Sequence, residues 1–363
     1  MRATRPIRSI AFMLAPVFLW VLTIGPGLAN QLPETRTFDA QIAPGVLERS
    51  EPSNEGGPLG DRIQALIPDA ENNCLRITDQ SVETRQEPRT HAQHHLQASV
   101  QLVRESEIGV WLVRTAAAHN VTVCLDHATK LEAHYRSHLR LLGLNARLGA
   151  AGRVVFLAHE LAHVPQHPRF SNNRRFSPED MLLLQQVREA AAEAVATRVL
   201  WQLKQKGISA PWQAKLATAY YDIAKNFEAA MADGEGLVRE LWATRSAFHH
   251  WFVADWRREI YDDLMFKTLA RIAKDPIGLI PSSRQLSDQY LRGVADYAGQ
   301  SFLIGGDGQA LIENFRARGL PANSQARLKA ILTGSETTPE QALYSLESGA
   351  LSAVSQSPMA DDE

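Results

Sequence analysis

Along this chain apolar positions recur at helical spacing far more often than they alternate, which predicts a mostly helical protein with a few short strands. Ile108–Ala118 has helical periodicity, Asn120–Leu125 is β-branched and strand-like, and Ser137–Leu144 partly alternates, Leu139 and Leu141 opposite His138 and Arg140, as a half-exposed strand does. Val154 to Ala158, continued by Leu161, Ala162 and Val164, is apolar nearly all round, which predicts a short buried helix that Pro165 stops. Ser177-Pro178-Glu179-Asp180 is a helix start, with an N-cap serine, proline at the first helical position and acids in the first turn. The helical pattern then runs from Met181 to about Lys206, and Gly207 ends it. Beyond that, Pro211–Ala232, Gly236–Lys274 and Ser283–Phe302 are long periodic segments, and Ala322–Leu332 and Pro339–Leu346 are shorter ones. The aromatic residues dense between Trp242 and Tyr261 are expected to be core packing. The fold class is α+β, mostly helical.

The polar ends divide the chain. Arg2, Arg5 and Arg8 precede an apolar run from Ile10 to Ile24, and Gly27-Leu28-Ala29 offers small residues, so residues 1–29 read as a signal peptide cleaved after Ala29. The run is short for a membrane span, so membrane contact is expected only through an uncleaved signal. Residues 30–70, rich in proline, glycine and polar residues, read as a flexible leader with one short helix at Arg62–Ile67, and residues 346–363 as a disordered tail. Between them, 71–206 is expected to form one domain and 207–345 a helical region completing it. Losing three arginines takes the formal net charge from −2 to −5, and the mature chain has no basic stripe for nucleic acid. The two cysteines, Cys74 and Cys124, lack metal-ligand spacing; in an exported protein, periplasmic or secreted, they are expected to pair. His91, His94 and His95 fall in a polar stretch that reads as loop.

The chemistry lies in the buried helix, which reads His159-Glu160-Leu161-Ala162-His163. Residues four apart share a helix face, so the two imidazoles converge on one ion, while Glu160 on the flank reaches a metal-bound water. Catalytic zinc takes three protein ligands and a water. A third histidine in the HExxHxxGxxH manner fails, because Gln166 and Arg169 occupy the Gly and His positions; His167 is close but lies beyond Pro165, outside the helix, and is a weak candidate. The next long helix carries Glu189 and Glu193, two carboxylates on one face in an alanine-rich surround. Like charges at that spacing repel, and a metal bound by one with a ligand histidine held by the other would relieve them.

In these two motifs the chain resembles a gluzincin, the zincin group in which a downstream Glu completes HExxH. Ala158–Gln166 and Arg188-Glu189-Ala190-Ala191-Ala192 are more similar still to uncharacterised bacterial metallopeptidase families. The resemblance covers roughly residues 105–206 and implies a zincin-like core, a small sheet plus the HExxH helix, in which the strand just before that helix is an edge strand that takes an extended peptide. It implies one zinc per chain on His159, His163 and Glu189, Glu160 as the base, Glu193 orienting a ligand histidine, and a peptide or protein as substrate. The transition-state partner stays open among Tyr135, Tyr220, Tyr221, Tyr261, His249 and His250. The rival expectation is a non-catalytic cell-envelope binding or assembly protein on the same helical scaffold, although a scaffold has no need of Glu160.

Overall fold

The computed structural model describes residues 59–77, 89–167, 176–274 and 284–334; the expected signal peptide, most of the leader, the Pro339–Leu346 helix and the tail lie outside them. The chain is mostly helical with a small mixed sheet. It opens with α1 (Leu59–Leu66), the short α2 (Ala70–Asn73) and β1 (Cys74–Arg76). Then come α3 (His91–Arg104) and α4 (Glu107–Ala118), capped by the Thr90 and Ser106 hydroxyls, which accept from the backbone N–H of Gln93 and Gly109. His91, His94 and His95 therefore lie on α3 rather than in a loop; Thr90 starts a helix there that buries Leu96, Val100 and Val103 and leaves the imidazoles in water.

Strands β2 (Thr122–Asp126), β3 (Ala133–Arg136) and β4 (Leu141–Asn145) join β1 in the order β1-β2-β4-β3. β4 runs parallel to β2, while β1 and β3 pair antiparallel with β2 and β4. This corrects two expectations. The alternation over 137–144 is not one half-exposed strand: Ser137–Leu139 forms a 3₁₀ turn, Arg140 takes a left-handed conformation, and β4 begins only at Leu141. Leu141, Leu142 and Leu144 are all buried because β4 is an interior strand. Hence the strand just before the HExxH helix is not the edge; β3 is, because β4 pairs on both sides. Gly143 permits this packing, since a Cβ there would come within 2.4 Å of the His134 ring lying across it from β3. At the other end of the sheet Cys74 faces Cys124 in register and the two are disulfide-bonded. Closing a loop of 50 residues contributes about 4 kcal/mol on the chain-entropy estimate.

Helix α5 (Ala150–His163) follows the sheet and ends where Pro165 requires. Helix α6 (Pro178–Gln205), capped by Ser177, is buried on nearly every face because α3, α4, α5 and the C-terminal helices surround it. One apolar cluster runs from Ile77 to Ile331, so the helical region beyond Gly207 shares its core with the sheet and α5.

The three long periodic segments after Gly207 are each broken. α7 (Ala210–Leu216) and α8 (Tyr221–Met231) are separated where the Thr218 hydroxyl donates to Lys215 O and accepts from Tyr220 N, side-chain bonds that compete with the helical ladder. α9 (Leu237–Trp251) and α10 (Asp255–Ala273) part at the extended Ala254, with Arg257 and Arg258 donating to the Trp251 and Phe252 carbonyls that end α9. The third segment holds only α11 (Asp288–Val294), then a hairpin of β5 (Asp296–Tyr297) and β6 (Gln300–Ser301) turning through Ala298 and Gly299, both at positive φ. α12 (Asp307–Arg318) and α13 (Ala322–Leu332) complete the described chain. In the aromatic segment Phe248 and Trp251 are buried as expected, whereas Trp242 and Trp256 are exposed. Among the described residues no helix is long and apolar enough to cross a membrane.

Candidate metal centre

Helices α5 and α6 cross so that His159, His163 and Glu189 meet at the floor of a cleft of about 960 Å³. His159 Nε2 and His163 Nε2 are 3.3 Å apart, and Glu189 Oε2 lies 3.5 and 3.4 Å from them. A tetrahedral zinc with bonds of about 2.1 Å separates its ligands by roughly 3.4 Å, so the three atoms stand at the spacing such an ion requires.

The other nitrogen of each ring is already engaged. His159 Nδ1 lies 3.1 Å from Glu193 Oε2, and His163 Nδ1 lies 2.9 Å from Gln166 Oε1. Both partners accept: Glu193 is a carboxylate, and the Gln166 amide nitrogen is spent donating to Arg188 O at 3.1 Å and to Tyr297 Oη at 2.8 Å. Each imidazole thus keeps a proton on Nδ1 and turns Nε2 inward, where its lone pair serves a metal once any second proton is displaced. Glu189 is held in the same way, its Oε1 accepting from Gln185 Nε2 at 2.7 Å, which leaves Oε2 for the centre.

The electrostatics draw positive charge to this point. Burial alone would lower His159, but hydrogen bonds to Glu189 and Glu193 raise it to about 10. Burial likewise works against ionising Glu189, yet the two histidines hold its carboxyl well below the usual range. Glu193 is held down to about 2 against burial, first by the Lys215 ammonium paired with it and then by His159. The surroundings stabilise a cation among two imidazole lone pairs and a carboxylate oxygen, and this donor set fits a divalent metal ion.

Glu160 lies beside the three donors, buried and lining the cleft. Burial pushes its carboxyl up, His159 and His163 pull it back, and Glu189 adds to the rise. Of the expected transition-state partners, Tyr135, Tyr220 and Tyr261 line the cleft. The hydroxyls of Tyr220 and Tyr261 lie 3.4 Å apart, and burial raises both phenols. Tyr221 is exposed on α8, and His249 and His250 lie against Asp307 and Asp222, outside the cleft lining. His167 also stays outside the metal-competent group.

The structure therefore brings together all five expected site residues, His159, Glu160, His163, Glu189 and Glu193, and joins Cys74 to Cys124 about the sheet. Sequence reasoning missed Lys215, Gln166, Gln185 and Tyr297. Gln166 left a faint signal, a polar residue directly after an apolar helix; Lys215, on a seven-residue helix remote in sequence, left none.

Residues 69–302 match the model of the putative metallopeptidase family DUF6782, and the chain belongs to that family. The matched span holds every residue of the centre, from His159 to Tyr297. No curated protein and no solved structure matches the chain. A metallopeptidase family implies a metal ion and a peptide or protein substrate, and His159, His163 and Glu189 are the residues of this chain that fit the metal.

Proposed function

We propose that the protein is a zinc-dependent peptidase of the gluzincin type, with one zinc on His159, His163 and Glu189 and with Glu160 as general base. One observation carries the reading: three acceptor atoms face one another at 3.3–3.5 Å inside a cleft, at tetrahedral spacing, with a buried carboxylate beside them. Zinc held there supplies a Lewis acid for the scissile carbonyl and a water whose pKa is lowered to about 7. Glu160, its carboxyl raised by burial, takes the proton of the attacking water and hands it to the departing amine. Glu193 and Gln166 keep His159 and His163 in the tautomer that leaves Nε2 free. The Tyr220 and Tyr261 hydroxyls, kept protonated by burial, donate to the oxygen on which negative charge develops. An extended peptide lies along β3, the edge strand that lines the cleft, through main-chain hydrogen bonds. Export to a periplasmic or extracellular setting belongs to the same proposal, supported by the basic and apolar pattern of residues 1–29 and by the Cys74–Cys124 disulfide.

The test is metal analysis and a peptide-library digest of residues 30–363, unsubstituted and as Glu160→Gln. About one zinc per chain is expected in both, with hydrolysis only in the first. Loss of zinc from Glu160→Gln would make Glu160 a ligand or a structural support. Full metal with no cleavage of any peptide by the unsubstituted chain would favour the non-catalytic binding protein.

A further inference from the structure

Besides the imidazoles, three cationic side chains line the cleft, and two of them are paired: Lys215 with Glu193, and Lys267 with Asp263. The third is Arg188, one residue before the ligand Glu189 on α6. Among the described residues no carboxylate pairs with its guanidinium, and its Nε is sealed from water without an acceptor. A guanidinium does not release its proton at physiological pH, so the charge stays. Arg188 is half-buried, and where a cation is partly withdrawn from water without an ion-pair partner, a ligand can supply that partner. The position is fixed as well. Arg188 belongs to the buried central helix, and its carbonyl accepts from Gln166 Nε2 at 3.1 Å. Of the acids Glu132 and Glu259, which also line the cleft, Glu132 is half-buried and Glu259 exposed, and neither forms an ion pair with Arg188. Much of the remaining wall is apolar, with Trp256, Ile260 and Leu264 spaced four residues apart on α10.

We propose that Arg188 is the substrate-binding residue that receives a carboxylate of the peptide in its two-pronged fork, so that the cleft selects segments with a carboxylate near the cleaved bond. The proposal rests on the peptidase reading above. Two sources of that group are consistent with a fork set beside the metal ligands: the free C-terminus of a peptide, or an Asp or Glu side chain within it. The guanidinium matches either, because its parallel N–H donors meet both oxygens of a planar carboxylate.

The test uses one peptide made in isosteric twins: free C-terminal acid against C-terminal amide, and internal Glu against Gln. Binding is measured on the Glu160→Gln chain, which does not depend on turnover, and cleavage on the unsubstituted chain. The carboxylate twin should bind about 10- to 100-fold more tightly than the amide, the range of a charge-assisted pair. Preference for the free acid identifies C-terminal capture, and preference for Glu over Gln identifies an acidic side chain. Arg188→Gln should abolish the preference, and Arg188→Lys should keep part of it, since an ammonium supplies charge without the fork. Equal binding of both twins, or no binding of either, overturns the proposal without any Arg188 variant having to fold. So does a preference that survives in Arg188→Gln with zinc content unchanged. A carboxylate preference without cleavage of any peptide would uphold Arg188 and refute the peptidase reading.

Discussion

His159 and His163 stand one turn apart on the same helix and aim the same nitrogen at the same point, yet they are held by different chemistry. His159 rests on an ionic arm, Glu193 backed by the buried Lys215. His163 rests on a neutral arm, Gln166 backed by Tyr297, whose hydroxyl donates in turn to Ala162 O at 3.1 Å. The ionic arm makes its imidazole a stronger donor, but it depends on two charges that stand only while each has the other. The neutral arm raises basicity less and ties the end of α5 to the β5–β6 hairpin, so part of the C-terminal region reaches the centre through a single amide. On the proposed reading one support would tune a bound metal, and the other anchors the helix.

The largest effect should come from bypassing both arms. Glu189→Ala removes the proposed third ligand, which neither arm can replace, and zinc should be lost on dilution, as metal analysis after dialysis would show. Retention at full occupancy would reject a Glu ligand from α6. Next, Lys215→Met removes the ammonium paired with the buried Glu193 carboxylate, which should cost about 3–5 kcal/mol in a denaturant midpoint. Adding Glu193→Gln should recover much of that loss, and additive losses would mean that the arm is not a coupled pair. Glu193→Gln alone should weaken zinc binding or turnover by about 10–100-fold while keeping the fold. If it matched Glu189→Ala, the roles of ligand and support would be exchanged. The smallest change should follow Gln166→Leu, which removes hydrogen bonds but no charge and should cost about 1–3 kcal/mol of stability. A larger effect there than from Lys215→Met would invert the contrast between the arms.

What the sequence revealed follows how local each determinant is. His159, Glu160 and His163 are fixed by one turn of helix, and Glu189 and Glu193 by the next helix, so their shared faces could be read from spacing alone. Ser177-Pro178 and Gly207 marked the bounds of α6 closely because caps are short-range features. β4 was misjudged because Leu139 and Arg140 belong to a turn whose left-handed residue the alternation cannot disclose. Lys215 was invisible for a different reason: it reaches Glu193 only because Thr218 breaks the helical run there and α7 packs against α5 and α6. Tyr297 was masked by an apparent helix, since each strand of its hairpin is only two residues long.

The placement of β3 has a consequence for which protein molecules can be attacked. This strand is open on one side only, and the facing side of the cleft is helix α10. A chain entering between them must lie flat along the strand with its own amides unspent, which a helix or an interior strand of a folded protein cannot do. The filter acts on the physical state of a prospective substrate before any side chain is inspected. In the proposed peptidase, unfolded chains would pass and folded ones would be spared.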